Sequence, residues 1–311
     1  CAAAPTVWAL IVLRIVQGLA GAAGIVIARA VVRDLHSGTA AARFFALLML
    51  VQGVAPILAP ILGAQLLHLT SWRGVFVALA GFGAVVSVSV AVWLPETLPP
   101  ARRHAAGLRA TLAVFRGLAA DRAFVAYTLS CGLPFAAMFA YIAGSPFVLQ
   151  DIYGLSPQTY SLVFGANALG IVCASQVSGH LVERTGPARL LAAGLAACAA
   201  GGVGLLVAVL LDAGLAGVLP SLFLTVSSIG LVLPNATALA LADHPRTAGS
   251  ASALIGLVQF VVGAAAAPLV GIGGATTAVP MAVVIAALGV GGMLPLGLLT
   301  WRPRQSEMIR A

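Results

Sequence analysis

Apolar positions in this chain come in blocks, not in the alternation of a half-buried strand or the one-sided stripe of a soluble helix. About 20 consecutive apolar residues suffice for a helix to cross the hydrocarbon of a bilayer. Read against that length, with charge, proline and glycine as breaks, the pattern predicts nine spans. They are Thr6–Val32, Phe44–Leu67, Gly74–Leu94, Phe124–Phe147, Tyr160–Leu181, Leu190–Leu211, Val218–Ala242, Ser250–Ile272 and Val279–Trp301.

The polar connectors alternate in charge. "DIYGLSPQT", "DAGLAG" and "GGATTA" hold no arginine and "TSWR" holds only Arg73. The opposite set carries Arg33, Arg43, Arg102, Arg103, Arg109, Arg116, Arg122, Arg184, Arg189 and Arg246, then Arg302, Arg304 and Arg310 in the tail. By the positive-inside rule the arginine-rich side is cytoplasmic, so the C-terminus is expected inside and Cys1 outside. The net charge of +8 is thereby explained by topology and anionic lipid, and a nucleic-acid partner is not expected. The segment Gly107–Leu118, arginine-studded and amphipathic, is expected to lie on the inner membrane surface.

Composition agrees. The 311 residues are 61% hydrophobic and 8% charged, against about a quarter charged in soluble domains. The fold class is therefore all-α, a polytopic membrane protein. All sixteen basic residues are arginine, and four cysteines without CxxC spacing read as small buried hydrophobes, not a metal or disulfide set. No HExxH, GxSxG, phosphate-binding loop or paired-carboxylate motif appears, so no catalytic residue, metal or nucleotide cofactor is expected.

An internal repeat organises the spans. "LVQGVAPILAPILGA" (Leu50–Ala64) and "LVQFVVGAAAAPLVG" (Leu257–Gly271) share Leu-Val-Gln and a proline three residues before a glycine, with one insertion between. The repeat relates helices six apart that run the same way, which predicts two six-helix halves in parallel repeat. Residues 1–94 would be the remainder of the first half, 95–123 a cytoplasmic linker, 124–301 the second half and 302–311 a cytoplasmic tail. Six spans follow the linker and three precede it, so three N-terminal helices are expected upstream of Cys1.

Against this background Arg14 stands out. At 1.5 Å per residue it lies about 12 Å along its helix from Thr6, and insertion scales set its cost at about 2.5–3.5 kcal/mol. Gln17, three residues on, shares its face. Such a face is expected to look into a polar cavity instead of lipid, while Gly18 and Gly21 are expected to admit a neighbouring helix. A structural pairing of the arginine is the alternative.

These stretches together resemble the major facilitator transporters, specifically the Bcr/CflA-like drug-resistance subfamily of proton-coupled exporters, over nearly the whole chain. "LRIVQGLAGAA" is similar to the motif of the fourth helix of twelve, and the resemblance implies a proton-coupling role for Arg14 and Gln17. "VAPILAPILGA" resembles the antiporter motif of the fifth helix, with Ala59, Pro60, Gly63 and Ala64 in its glycine and proline places; two alanines loosen the pattern. "GHLVERTGPARL" resembles the second-half copy of the motif between paired helices. Gly179, Glu183, Arg184, Gly186 and Arg189 match, and they are expected to form a cytoplasmic gate whose ion pairs differ between carrier states.

The stretch from Phe135 to Gly170 is the most subfamily-like. Tyr127, Cys131, Pro134, Met138, Tyr141 and Ser145 recur on one face, a mixed surface suited to amphipathic molecules or to helix packing. Asn167, Asn235 and Gln259 sit deep in apolar spans as cavity hydrogen bonders or as interhelical glue. Met138, Tyr141, Ser145, Asn167, Asn235 and Gln259 are thus the candidate substrate-cavity residues.

The resemblance implies a monomeric carrier in the bacterial inner membrane that exports small amphipathic drugs, driven by the proton gradient without a cofactor. Its partners would be substrate, protons and the lipid bilayer. No acid lies mid-span, and the resemblance places the proton-carrying aspartate in the first helix. A proton-coupled metabolite importer is the nearer alternative and a membrane-embedded enzyme the remoter one.

Overall fold

The computed structural model describes residues 1–35, 51, 58–59, 62–63, 65–97, 108–244, 247–272 and 274–299. Among them every regular element is helical. Seven helices are long and apolar enough to cross a membrane, and they answer to the third through ninth expected spans. The first expected span is also a helix, Val7–Leu35. The second, Phe44–Leu67, lies largely outside the described residues.

The chain forms two compact units, Cys1–Ala105 and Ala106–Ala311. In the first, α1 (Val7–Leu35) opens with the Thr6 hydroxyl accepting from the Ala9 amide at 3.2 Å. Helix α2 (Trp72–Trp93) has no buried residue of its own. Its starting end is tied to the start of the chain by Arg73, whose guanidinium donates to the Ala4 carbonyl and lies 4.2 Å over the Trp72 ring.

The second unit contains α3 (Leu108–Ala120), α4 (Arg122–Pro146), α5 (Pro157–Thr185), α6 (Pro187–Leu210), α7 (Gly214–Ala242), α8 (Ala248–Val270), α9 (Val279–Gly291) and the short α10 (Leu294–Leu299). Helix α4 packs on α7, α8 and α9, while α6 and α7 share the most extensive contact. In lipid the hydrophobic effect gives helices no reason to associate, so close van der Waals approach must do so, and small residues permit it. A Cβ at Gly202 of α6 would lie 3.0 Å from the Ala286 Cα on α9, and one at Gly230 of α7 would collide with the Ile171 carbonyl on α5. Bulky apolar side chains such as Leu162, Leu169 and Val177 point outward, the reverse of a soluble bundle.

Proline and glycine set the ends. At Pro146, which has no amide hydrogen to donate, α4 widens into a π-helical turn, Phe147–Ile152. The sequence pattern ends this span at Phe147; the wider turn carries it one turn further. Between α5 and α6 the chain reverses at Gly186, whose φ of 78° favours glycine, and Pro187 then begins α6 without wasting an amide.

Candidate functional site

Arg14 and Gln17 meet as their spacing requires. The Arg14 Nη1 donates to Gln17 Oε1 at 2.8 Å, and the Cys1 thiol approaches the same oxygen at 3.6 Å. The guanidinium also lies 5.8 Å from the centre of the Phe76 ring on α2, within cation–π range. Both polar side chains are exposed within their unit. At Gly18 and Gly21 a Cβ would meet no heavy atom within 4 Å among the described residues.

Ala59 and Gly63 of the antiporter-like stretch are helical, and a Cβ at Gly63 would meet open space. Pro60 and Ala64 lie outside the described residues.

The motif at the α5–α6 turn is assembled by Gly186, whose amide donates to the Val182 carbonyl at 2.9 Å. Gly179, Glu183, Arg184 and Arg189 surround it and are exposed. Glu183, Arg184 and Arg189 make no ion pair among the described residues.

The intramembrane polar groups of the second unit are bonded to neighbouring helices. Asn167 on α5 donates from Nδ2 to the Tyr141 hydroxyl on α4 at 2.8 Å, and the Tyr141 ring stacks on Phe164. Ser145 on α4 meets the Tyr160 hydroxyl of α5 at 3.1 Å. Asn235 on α7 donates both to Ser178 Oγ of α5 and to its own helix at Leu231, each at 2.7 Å. Gln259 on α8 donates to the Cys131 sulfur on α4 at 2.9 Å. Tyr141, Ser145, Asn167 and Asn235 are all buried, whereas Met138 and Gln259 are half-buried. Five of the six cavity candidates, all but Met138, are therefore interhelical ties within one unit. Tyr160, Ser178 and His244, which complete contacts here, carry no signal in the sequence pattern. Outside the spans, burial raises the Tyr153 phenol above its ordinary value, and the Asp212 carboxylate raises it further.

Residues 1–268 match the family model of the Major Facilitator Superfamily. The chain belongs to the major facilitator superfamily. It is 36% identical over 302 residues to the uncharacterized MFS-type transporter YdgK of Bacillus subtilis, covering 96% of this chain and 75% of that protein. It is 30% identical over 295 residues to the bicyclomycin resistance protein homolog of Haemophilus influenzae, covering 95% and 74%. The multidrug transporter MdfA of Edwardsiella ictaluri is 26% identical over 260 residues, covering 80% and 61%. The major facilitator fold, a multi-pass all-helical membrane protein, agrees with the fold class read from the apolar blocks. It is a family of transporters, not of enzymes.

Proposed function

We propose that this chain serves proton-coupled export of small amphipathic drugs across the bacterial inner membrane, with its arginine-rich face and C-terminus in the cytoplasm. Relatives described as bicyclomycin-resistance and multidrug proteins support the substrate class. Arginine-rich connectors support the orientation.

The observation that carries proton coupling is the Arg14–Gln17 pair. A guanidinium some two turns into a span, bonded among the described residues to its own helix and an aromatic ring, is a positive charge at membrane depth. Such a charge favours the ionised form of an acid that approaches it, so the acid's protonation comes to depend on carrier state. Transport would proceed by rocking of two halves about a midplane site.

The test is dye and drug efflux in vesicles under an imposed pH gradient, using the carrier expressed from its complete coding sequence. Arg14→Ala is expected to reach the membrane and lose proton-driven efflux. Arg14→Lys is expected to retain part of it, since charge survives and the planar fork does not. Normal pumping by Arg14→Ala would make Arg14 structural and defeat the proposal.

A further inference from the structure

Two helices of the second unit are interrupted by proline between their arginine-rich ends and their remainders. Pro134 lies within α4 and Pro234 within α7. Each lacks the amide hydrogen that would close a helical bond, which makes its position a favoured place for the helix to flex. Those two ends are held together at one corner.

Asp121 divides its carboxylate there. Its Oδ1 caps α4, accepting from the amides of Ala123 at 2.8 Å and Phe124 at 3.3 Å. Its Oδ2 accepts from Nε2 of His244, just past the end of α7, at 3.1 Å. The imidazole stands edge-on to the buried Phe124 ring, with centroids 5.5 Å apart. At 20% and 34% exposure, His244 and Asp121 remain reachable by water and protons.

We propose that His244 and Asp121 form a proton-sensitive latch that holds the hinged ends of α4 and α7 together when His244 is protonated and releases them when it is neutral. The proposal rests on the carrier function and cytoplasmic orientation given above. Histidine is the side chain that ordinarily changes charge between about pH 5 and 8. As an imidazolium it adds a charge-assisted bond to the carboxylate; as a neutral ring it keeps at most an ordinary one. The elements around the corner also bring Arg109 and Arg116 on α3, Arg122 on α4, His180, Glu183 and Arg184 on α5, Arg189 on α6 and Asp243 beside α7, all exposed. Helices α8, α9 and α10 bring no charged side chain. Among the described residues Asp121 and His244 therefore face each other directly, with the other charges exposed.

The latch is read directly by pulsed electron-spin distances between labels on Ala120→Cys and Ala242→Cys in the purified complete carrier. The open population is expected to rise about two- to fivefold from acid to alkaline pH, the equilibrium weight of a partly exposed ion pair. Asp121→Asn is expected to abolish that dependence while leaving α4 capped, because asparagine caps as well as aspartate. His244→Gln should do the same; if it fails to insert, Asp121→Asn decides alone. A pH dependence that persists in Asp121→Asn overturns the latch. In everted vesicles at a fixed pH gradient, wild-type efflux is expected to slow by the same factor as the bath is acidified, and Asp121→Asn efflux is not. An identical profile in both would overturn the latch's part in transport. Absence of drug efflux from the wild type would defeat the export reading, while the distance measurement would still decide the latch.

Discussion

Tyr141→Phe isolates one hydroxyl between α4 and α5. Phenylalanine keeps the ring, so the stack on Phe164, at 5.8 Å and 17°, is retained. The loss is the acceptor for Asn167 Nδ2 at 2.8 Å, at a site where Tyr141 and Asn167 are 2% and 3% exposed. Interhelical hydrogen bonds in membrane proteins contribute about 0.6 kcal/mol on average and up to about 1.7. A buried donor left without a partner costs about 1–3 kcal/mol. This bond is short, and water has little access to replace it, so a loss of about 1–2 kcal/mol is expected, roughly a five- to thirtyfold change in the unfolding equilibrium.

Asn167→Leu in the Tyr141→Phe background is expected to recover part of that loss, because it removes the orphaned amide. The double-mutant cycle should return a coupling of about 0.6–1.7 kcal/mol. Unfolding of the complete carrier in detergent micelles gives the stabilities, and drug fluorescence gives affinities. An interhelical tie predicts lower stability with drug affinity changed by less than about twofold. Unaltered stability with a tenfold weaker drug affinity would show instead that the hydroxyl serves substrate, and would refute the packing argument.

Four further outcomes follow from the same geometry. Gly230→Ala places a methyl against the Ile171 carbonyl and Ser175 amide and is expected to cost about 1–3 kcal/mol in the same unfolding assay. Gly165→Ala, on α5 with open space around its Cβ, is expected to be neutral or to stabilise by about 0.5–1 kcal/mol. Glu183→Gln, at an exposed turn, is expected to slow transport several-fold while leaving drug affinity unchanged, and a large affinity loss with normal cycling would count against a gate there. In a cysteine-free background, Thr185→Cys is expected to react with impermeant thiol reagents only from the cytoplasm and Ala213→Cys only from outside; the reverse pattern would invert the proposed orientation.

What could be read from sequence, and what could not, divides along the range of the interactions. Span positions depend on composition summed over some 20 residues, so the apolar blocks located α4 to α8 to within a few residues at most ends. The α5–α6 turn depends on two adjacent residues, Gly186 and Pro187, and was equally visible. Arg14 and Gln17 are three apart on one helix, so helical geometry alone brings them together. By contrast, Asn235 and Ser178 are 57 residues apart, Gln259 and Cys131 128, and His244 and Asp121 123. These partners are set by which helix faces touch, and that depends on where the glycines let backbones approach. The apolar pattern of a membrane helix records little of it, because lipid-facing and helix-facing sides are both apolar.

That division also separates two uses of polarity in a membrane. Asn167, Asn235 and Gln259 each spend a donor on a neighbouring helix, which offsets part of the desolvation penalty. Arg14 does otherwise. Among the described residues its hydrogen bond is to Gln17 on its own helix, and a guanidinium has five donors. Phe76 screens one face of the cation but accepts no conventional hydrogen bond. A side chain that serves packing alone would gain by bonding a neighbouring helix, as the asparagines do. Among the described residues Arg14 keeps donors unspent, and the proposed coupling role assigns them to a partner present in only part of the working cycle.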